Sequence, residues 1–327
     1  MDSEIRAVFA YYPAMLRPEG GVVGLGNAGG LSGSRLWQYW AGGRILLARC
    51  WPVDGPPRSA LEAIHGWLKE AGALGFVPVP FETWDGRTLV EQGGRFWEVG
   101  PWMPGRAEVG GPIDLGRVRA AFAALGAFHQ RLAIHRSVGR SAGLVSRARE
   151  VEWWREIGFG ELERASGKGL AAPLAVLARR WVKEARGREA GILEALTRGI
   201  GMRVARQPCL RDVRPEHFLF TGESVTGLVD FGAMGMESVS GDLARLIVEW
   251  GGRHSGFRRA ALDAYGAIRP LEAMEIKLID VFERSTALLG AGHWLRWHFL
   301  EGREFEDAGG VLRRVEKGLE SLIEMGE

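Results

Sequence analysis

The sequence predicts an α+β protein of two unlike lobes, and three observations carry that expectation. Residues 1–99 are rich in strand-like segments and hold one main helix, while residues 106–327 read mostly as helix. Between them, Gly100-Pro101-Trp102-Met103-Pro104-Gly105 has too many breakers for either element and is the expected hinge. Two unlike lobes on a short connector normally leave a cleft, the default place for a ligand.

In the first lobe a short helix-like start leads into a glycine-rich turn, Gly24-Leu25-Gly26-Asn27-Ala28-Gly29-Gly30, between strands. The bulky run Arg35–Trp40 suits a strand, Ala41-Gly42-Gly43 a turn, and Arg44–Trp51 a second strand. Pro56 and Pro57 then open a helix over 58–71, with Leu61, Ile64, Leu68 and Ala71 on one face. Leu89–Glu91 and Phe96–Val99 flank Gln92-Gly93-Gly94 as strands of a hairpin. In the second lobe Val118, Phe122, Leu125, Phe128 and Leu132 repeat at the spacing of a packed helix. More helical runs follow around Trp153-Trp154 and over Pro173–Arg186. Short strand-like segments interrupt them over 204–239, before helix resumes at Leu243.

Composition narrows the function. The chain has 327 residues and 46% apolar content, ample for a core, and 42 basic residues against 40 acidic give a formal charge of +2, too small an excess for a nucleic-acid partner. The locally basic stretch Arg179–Arg188 reads as a solvated helix face. Cys50 and Cys209 lie far apart without metal-ligand spacing, which fits a reducing compartment. The acidic start does not resemble a signal peptide, and no segment approaches the roughly 18 apolar residues of a membrane span, so a cytoplasmic monomer or homodimer is expected.

The chemistry concentrates in two segments. Leu210-Arg211-Asp212-Val213-Arg214-Pro215-Glu216-His217 crowds acidic, basic and imidazole groups behind an apolar strand, and Val229-Asp230-Phe231-Gly232 ends another strand in a glycine turn. If the strands pair through Thr221-Gly222-Glu223-Ser224, His217 and Asp230 approach each other at the hairpin base and can share a divalent ion. Asp212 would then orient and deprotonate an acceptor hydroxyl, and Arg214 would meet the charge developing on a transferred phosphoryl group. The glycine-rich turn, through Gly26, Asn27, Gly29 and Gly30, can cradle phosphate with its N–H groups, although the same glycines also suit a plain flexible loop. Arg49 can pair with nucleotide phosphates, and Glu62, off the apolar stripe of the following helix, is placed to orient it.

These residues together resemble the phosphotransferase enzyme family that includes aminoglycoside phosphotransferases and choline and homoserine kinases. LRDVRPEH resembles the family's catalytic loop, and VDFG its metal-binding aspartate motif. The resemblance implies a protein-kinase-like fold, ATP and Mg2+ as cofactors, and a small-molecule hydroxyl as acceptor. It implies that Asp212 is the catalytic aspartate, that His217 and Asp230 hold the metal, and that Arg49 stands where the family has a phosphate-anchoring lysine. Trp97–Met103 becomes the adenine-binding connector, which sets Glu98, Val99 and Trp102 beside the nucleotide. The segment Gly241-Asp242-Leu243-Ala244 resembles one found in the small-molecule branch, with Asp242 bracing the catalytic loop. Leu210 replaces the usual histidine, His217 an asparagine and Arg49 a lysine, so a nucleotide-binding pseudokinase is the alternative to an active enzyme. The acceptor is expected among the helices of the second lobe, near Trp153, Trp154, Asp280, Glu283, His293, Trp294 and Trp297.

Overall fold

The computed structural model describes residues 3–26, 33–107, 113–167, 172–251, 255–305 and 307–324. The chain folds as two compact units. Unit 1 takes residues 1–110 and 216–235, and unit 2 takes 111–215 and 236–327. In chain order, unit 1 opens with α1 (Ser3–Phe9), β1 (Val22–Gly24), β2 (Arg35–Ala41), β3 (Arg44–Cys50), α2 (Arg58–Ala71), β4 (Val90–Gln92), β5 (Arg95–Pro101) and β6 (Arg106–Ala107). Unit 2 follows with α3 (Leu115–Arg131), β7 (Ser137–Gly139), α4 (Ala142–Trp153), α5 (Phe159–Gly167), α6 (Pro173–Arg186), α7 (Glu189–Ile200) and β8 (Val204–Cys209). The chain returns to unit 1 for β9 (Phe218–Thr221) and β10 (Ser224–Leu228). It then closes with β11 (Gly235–Glu237), α8 (Val239–Trp250), α9 (Ser255–Ile268), α10 (Ala273–Phe299) and α11 (Ala308–Glu324).

Unit 1 is built on a five-stranded antiparallel sheet in the order β1-β2-β3-β5-β4, with a small β10-β9-β6 sheet beside it. Alternation along β2, β3 and β5 sends Tyr39, Leu46, Ala48, Trp97 and Val99 into one core with Ile5, Val8 and Tyr12 from the first residues of the chain. Helix α2 has the bounds its periodicity predicts, and Leu61, Ile64, Leu68 and Ala71 are all buried. A histidine shares that stripe, because His65 is buried among them.

The unit boundaries differ from a single break at 100–105. β5 continues to Pro101, which pairs with Leu46, so the first two residues of the expected hinge are still strand. The hairpin β9–β10 also belongs with unit 1, because β9 pairs with β6 and Leu228 N donates to Phe76 O at 2.8 Å.

Unit 2 is mostly helical. α10, 27 residues long, buries residues on every side and has α8 and α11 as neighbours. Trp154 and Trp181 are fully buried, with ring centroids 4.8 Å apart, and Phe159 packs on both. Gly292 of α10 admits these rings: a Cβ there would lie 2.9 Å from Trp181. Residues 154–158 form a single π turn between α4 and α5, a detail the helical periodicity did not announce. α8 begins at Val239, four residues before the expected Leu243, because Ser238 caps it by accepting from Ser240 N. Among the described residues no helix is long and apolar enough to cross a membrane.

Candidate active site

The Asp212 turn is held from below by a buried carboxylate. β8 ends at Cys209, and the next two main-chain N–H groups, of Leu210 and Arg211, each donate to an Asp242 oxygen at 2.7 Å. His129 Nε2 lies 3.1 Å from Asp242 Oδ2, and its Nδ1 lies 2.9 Å from the Tyr265 hydroxyl. Asp242 is almost fully buried, and these three partners offset the cost of taking its charge out of water. They also hold Arg211 at φ 66°, a left-handed conformation that costs an L-residue about 1–2 kcal/mol. Leu210 is buried, as expected of an apolar residue in a packing position. His129, Cys209 and Asp242 place ligand atoms within 4.8 Å of one another, but the bracing hydrogen bonds already occupy Asp242.

Asp212 itself stands proud of the turn, with 41% of its side chain exposed. Arg245 Nη2 approaches its Oδ1 at 2.5 Å, and Arg214 Nε lies 3.5 Å from the same oxygen. Arg245 is in turn held by Glu249 at 3.1 Å. Sequence reasoning missed Arg245. Its signal was the spacing, because a residue three positions after Asp242 lies beside it on α8, so one helix carries both the brace and the group that orients Asp212.

In unit 1, β9 and β10 pair antiparallel through the expected turn, and Val229 N donates to His217 O at 3.0 Å. His217 Nε2 then lies 3.7 Å from Asp230 Oδ2. That span is shorter than two metal–oxygen bonds of about 2.1 Å, so both atoms fit one octahedral ion, with the imidazole bound through a neutral nitrogen. Asp230 has φ 66°, a second left-handed non-glycine residue, again at a motif aspartate.

The Arg49 position is built differently from expectation. Arg49 and Glu98 are cross-strand partners on β3 and β5, and Arg49 Nε lies 3.8 Å from Glu98 Oε1. Trp51, two residues on and therefore on the same face, donates its indole N–H to Glu98 Oε2 at 2.9 Å and lies 4.8 Å beneath the Arg49 guanidinium. His65 reaches the same oxygen through Nε2 at 2.8 Å, while its Nδ1 meets the Thr88 hydroxyl at 2.7 Å. Burial alone would push the Glu98 carboxyl up, but the His65 bond and charge, Arg49 and the Trp51 donor outweigh it and hold Glu98 below its ordinary range.

Three expectations are corrected here. Glu62 does not orient Arg49: it is exposed and pairs with Arg58 one turn back at 3.6 Å, because a residue off the apolar stripe faces away from the sheet. His65, on the stripe, is the α2 residue that meets Arg49's partner. Glu98 and Val99 do not lie in a connector, because Glu98 pairs with Arg49 and the Val99 carbonyl accepts from Phe81 N at 2.8 Å. Trp102 follows the strand, with a half-exposed indole and its N–H directed at Ile45 O at 3.3 Å. Gly26 has φ 55°, as a tight turn requires, while Asn27, Gly29 and Gly30 lie outside the described residues.

Several expected acceptor residues are structural. Trp154 belongs to the aromatic core, Trp294 is buried, and Glu283 and Asp280 are both paired with Arg258, at 2.8 Å and 2.7 Å.

A sequence profile of the phosphotransferase enzyme family matches residues 25–275, and the chain belongs to that family. A homoserine kinase of Methylocella silvestris is 35% identical over 82 residues, 24% of this chain and 26% of the relative. A homoserine kinase of Methylobacterium radiotolerans is 28% identical over 150 residues, 42% of this chain and 40% of the relative. The matches thus span between about a quarter and two-fifths of the length of these curated relatives. Among solved structures, an amicoumacin kinase in complex with AMP-PNP, Ca2+ and Ami superposes with a TM-score of 0.64 at 14% identity, covering 98% of this chain and 94% of the other. A microcompartment-associated aminopropanol kinase gives 0.61 at 16% identity, with 96% and 94% covered. An aminoglycoside phosphotransferase from Alicyclobacillus acidocaldarius gives 0.63 at 16% identity, with 98% and 95% covered. These likenesses establish the kinase-like α+β fold.

Proposed function

We propose that this chain transfers the γ-phosphoryl group of ATP to a hydroxyl of a small metabolite, with Mg2+ as the divalent ion. The observation that carries the reading is the Asp212 turn: an exposed carboxylate, flanked by two guanidinium groups, on a turn fixed by a buried aspartate. Membership of the phosphotransferase enzyme family supports the reaction class, and the homoserine and aminopropanol kinases among its likenesses support a small hydroxyl-bearing acceptor.

In this reading Asp212 accepts a hydrogen bond from the acceptor hydroxyl and takes its proton as the oxygen attacks the γ-phosphorus. Arg245 holds the Asp212 carboxylate in one orientation, and Arg214 lends its charge to the same place. Asp230 and His217 hold the metal, and when bound it supplies neutralisation of the phosphate charge. Arg49 offers its guanidinium to the nucleotide phosphates, steadied by Glu98, Trp51 and His65.

The test is ADP and phosphorylated-product formation from ATP and Mg2+ across a panel of hydroxyl-bearing metabolites, with Asp212→Asn alongside. The variant is expected to lose about 10²–10⁴-fold in turnover while binding AMP-PNP as before. Turnover that survives the substitution would remove Asp212 from the reaction.

A further inference from the structure

Unit 2 carries a groove of about 530 Å3 outside the Asp212 turn, and its charges select among acceptors. α4 presents Ser146, Arg149, Glu150 and Trp153 to it, and α10 contributes Arg296. Each charge has a different state of compensation. Glu150 Oε1 is met by His293 Nε2 at 2.5 Å, which leaves the second oxygen without a protein partner among the described residues. Arg296 lies 4.4 Å above the Trp153 ring and is neutralised by Glu301, Nε to Oε1 at 3.0 Å. Arg149 is exposed and has no acidic partner among the described residues. The groove therefore offers one unbalanced cation and one half-engaged carboxylate on adjacent residues of a helix, over an aromatic wall.

Charge also ties the groove to the reaction centre. Arg147, on the same helix, feels the fields of both Glu150 and Arg245, and Arg245 bonds Asp212. Arg147 itself is turned into the core, where it donates to Ser285 and Thr286.

We infer that this groove is the acceptor site and that it takes a zwitterion: a small amino acid with a side-chain hydroxyl, its carboxylate on Arg149 and its ammonium on Glu150. The inference rests on the phosphotransfer reading above and narrows it. A polycationic acceptor would bring several ammonium groups against Arg149 and Arg296 with one half-used carboxylate to meet them. A simple amino alcohol would leave Arg149 unanswered, and a hydroxy acid without an amine would leave Glu150 so.

Three matched probes separate these cases: L-homoserine, 3-amino-1-propanol, which is the same skeleton without its carboxylate, and 4-hydroxybutanoate, the same skeleton without its amine. Binding is measured calorimetrically with AMP-PNP and Mg2+ present, and phosphorylated product is followed with ATP. L-homoserine is expected to bind at least about tenfold more tightly than either partial analogue, a difference of about 1.4 kcal/mol. Arg149→Gln should bring L-homoserine down to the level of 3-amino-1-propanol while leaving 3-amino-1-propanol unchanged, and Glu150→Gln should bring it down to that of 4-hydroxybutanoate. Equal or tighter binding of 3-amino-1-propanol or of kanamycin overturns the zwitterion site. So does an Arg149→Gln loss shared equally by all probes, or no binding of any probe to a protein that binds AMP-PNP. Arg149-dependent binding of L-homoserine without product would keep the site and overturn phosphotransfer. Phosphorylation of 3-amino-1-propanol as readily as L-homoserine would do the reverse.

Discussion

The two charged clusters that serve the proposed reaction are inversions of one another. In unit 1 an acid positions a cation: Glu98, gripped by His65 and Trp51, steadies Arg49. In unit 2 cations position an acid: Arg245 and Arg214 steady Asp212. The depth of each cluster differs as well. Arg49 and Glu98 are both sunk in the sheet, with 17% and 15% exposed, whereas Asp212 is 41% exposed above arginines that are mostly covered. A group that must take a proton from a diffusing substrate has to meet solvent, and its supports carry the burial. A group that only holds charge against a phosphate can be anchored from within.

The comparison can be broken most severely at the brace beneath Asp212. Asp242→Ala removes the acceptor of two main-chain bonds and strands His129, and should cost about 3–5 kcal/mol in denaturant unfolding, with turnover lost as the turn relaxes. An unfolding midpoint close to that of the parent would mean that the turn is held by something else. Next comes the inverted cluster. Glu98→Gln leaves Arg49 and His65 without an anion, and should cost about 1.5–3 kcal/mol while raising KM for ATP more than it lowers kcat. Because the Glu98 carboxyl is held below its ordinary range, its contribution is complete above that range and disappears as pH falls through the lowered folded value. The acid limb of a stability–pH profile should therefore flatten in Glu98→Gln, and an unchanged limb would contradict the clamp.

Smaller effects sharpen the contrast. Arg245→Gln should leave stability within about 1 kcal/mol yet lower kcat by about tenfold, the equivalent of one charge-assisted hydrogen bond. Activity equal to the parent's would show that Arg214 alone orients Asp212. Smallest of all, Glu62→Gln should shift stability by less than about 0.5 kcal/mol and leave KM for ATP where it was, since Glu62 serves Arg58 at the surface. A Glu62→Gln enzyme that behaves like Glu98→Gln would restore the helix glutamate to the site.

What the sequence disclosed, and what it withheld, follows from how far apart the interacting residues lie. The bounds of α2, the β2–β3 turn and the β9–β10 hairpin were legible because periodicity and turn residues are local signals. The approach of His217 to Asp230 was legible for the same reason, since a hairpin links them. The Arg49 clamp was not, because its members come from β3, α2 and β5 and are joined only by sheet register and by which helix face turns inward. His65 on an apolar stripe looked like a core residue, and Glu98 looked like part of a connector because Gly100 and Pro101 seemed to end the strand. The tryptophans misled in the other direction: Trp154 and Trp294 read as cleft residues and are packing.

The turn after Asp230 has one further consequence. A Cβ on Gly232 would lie 3.1 Å from the six-membered ring of Trp51, the same indole that holds Glu98. Positions 51 and 232 thus divide a single volume between them. In any lineage that keeps this packing, a larger residue at 232 becomes tolerable only once the ring at 51 has shrunk, so the two sites should change together or stay as they are.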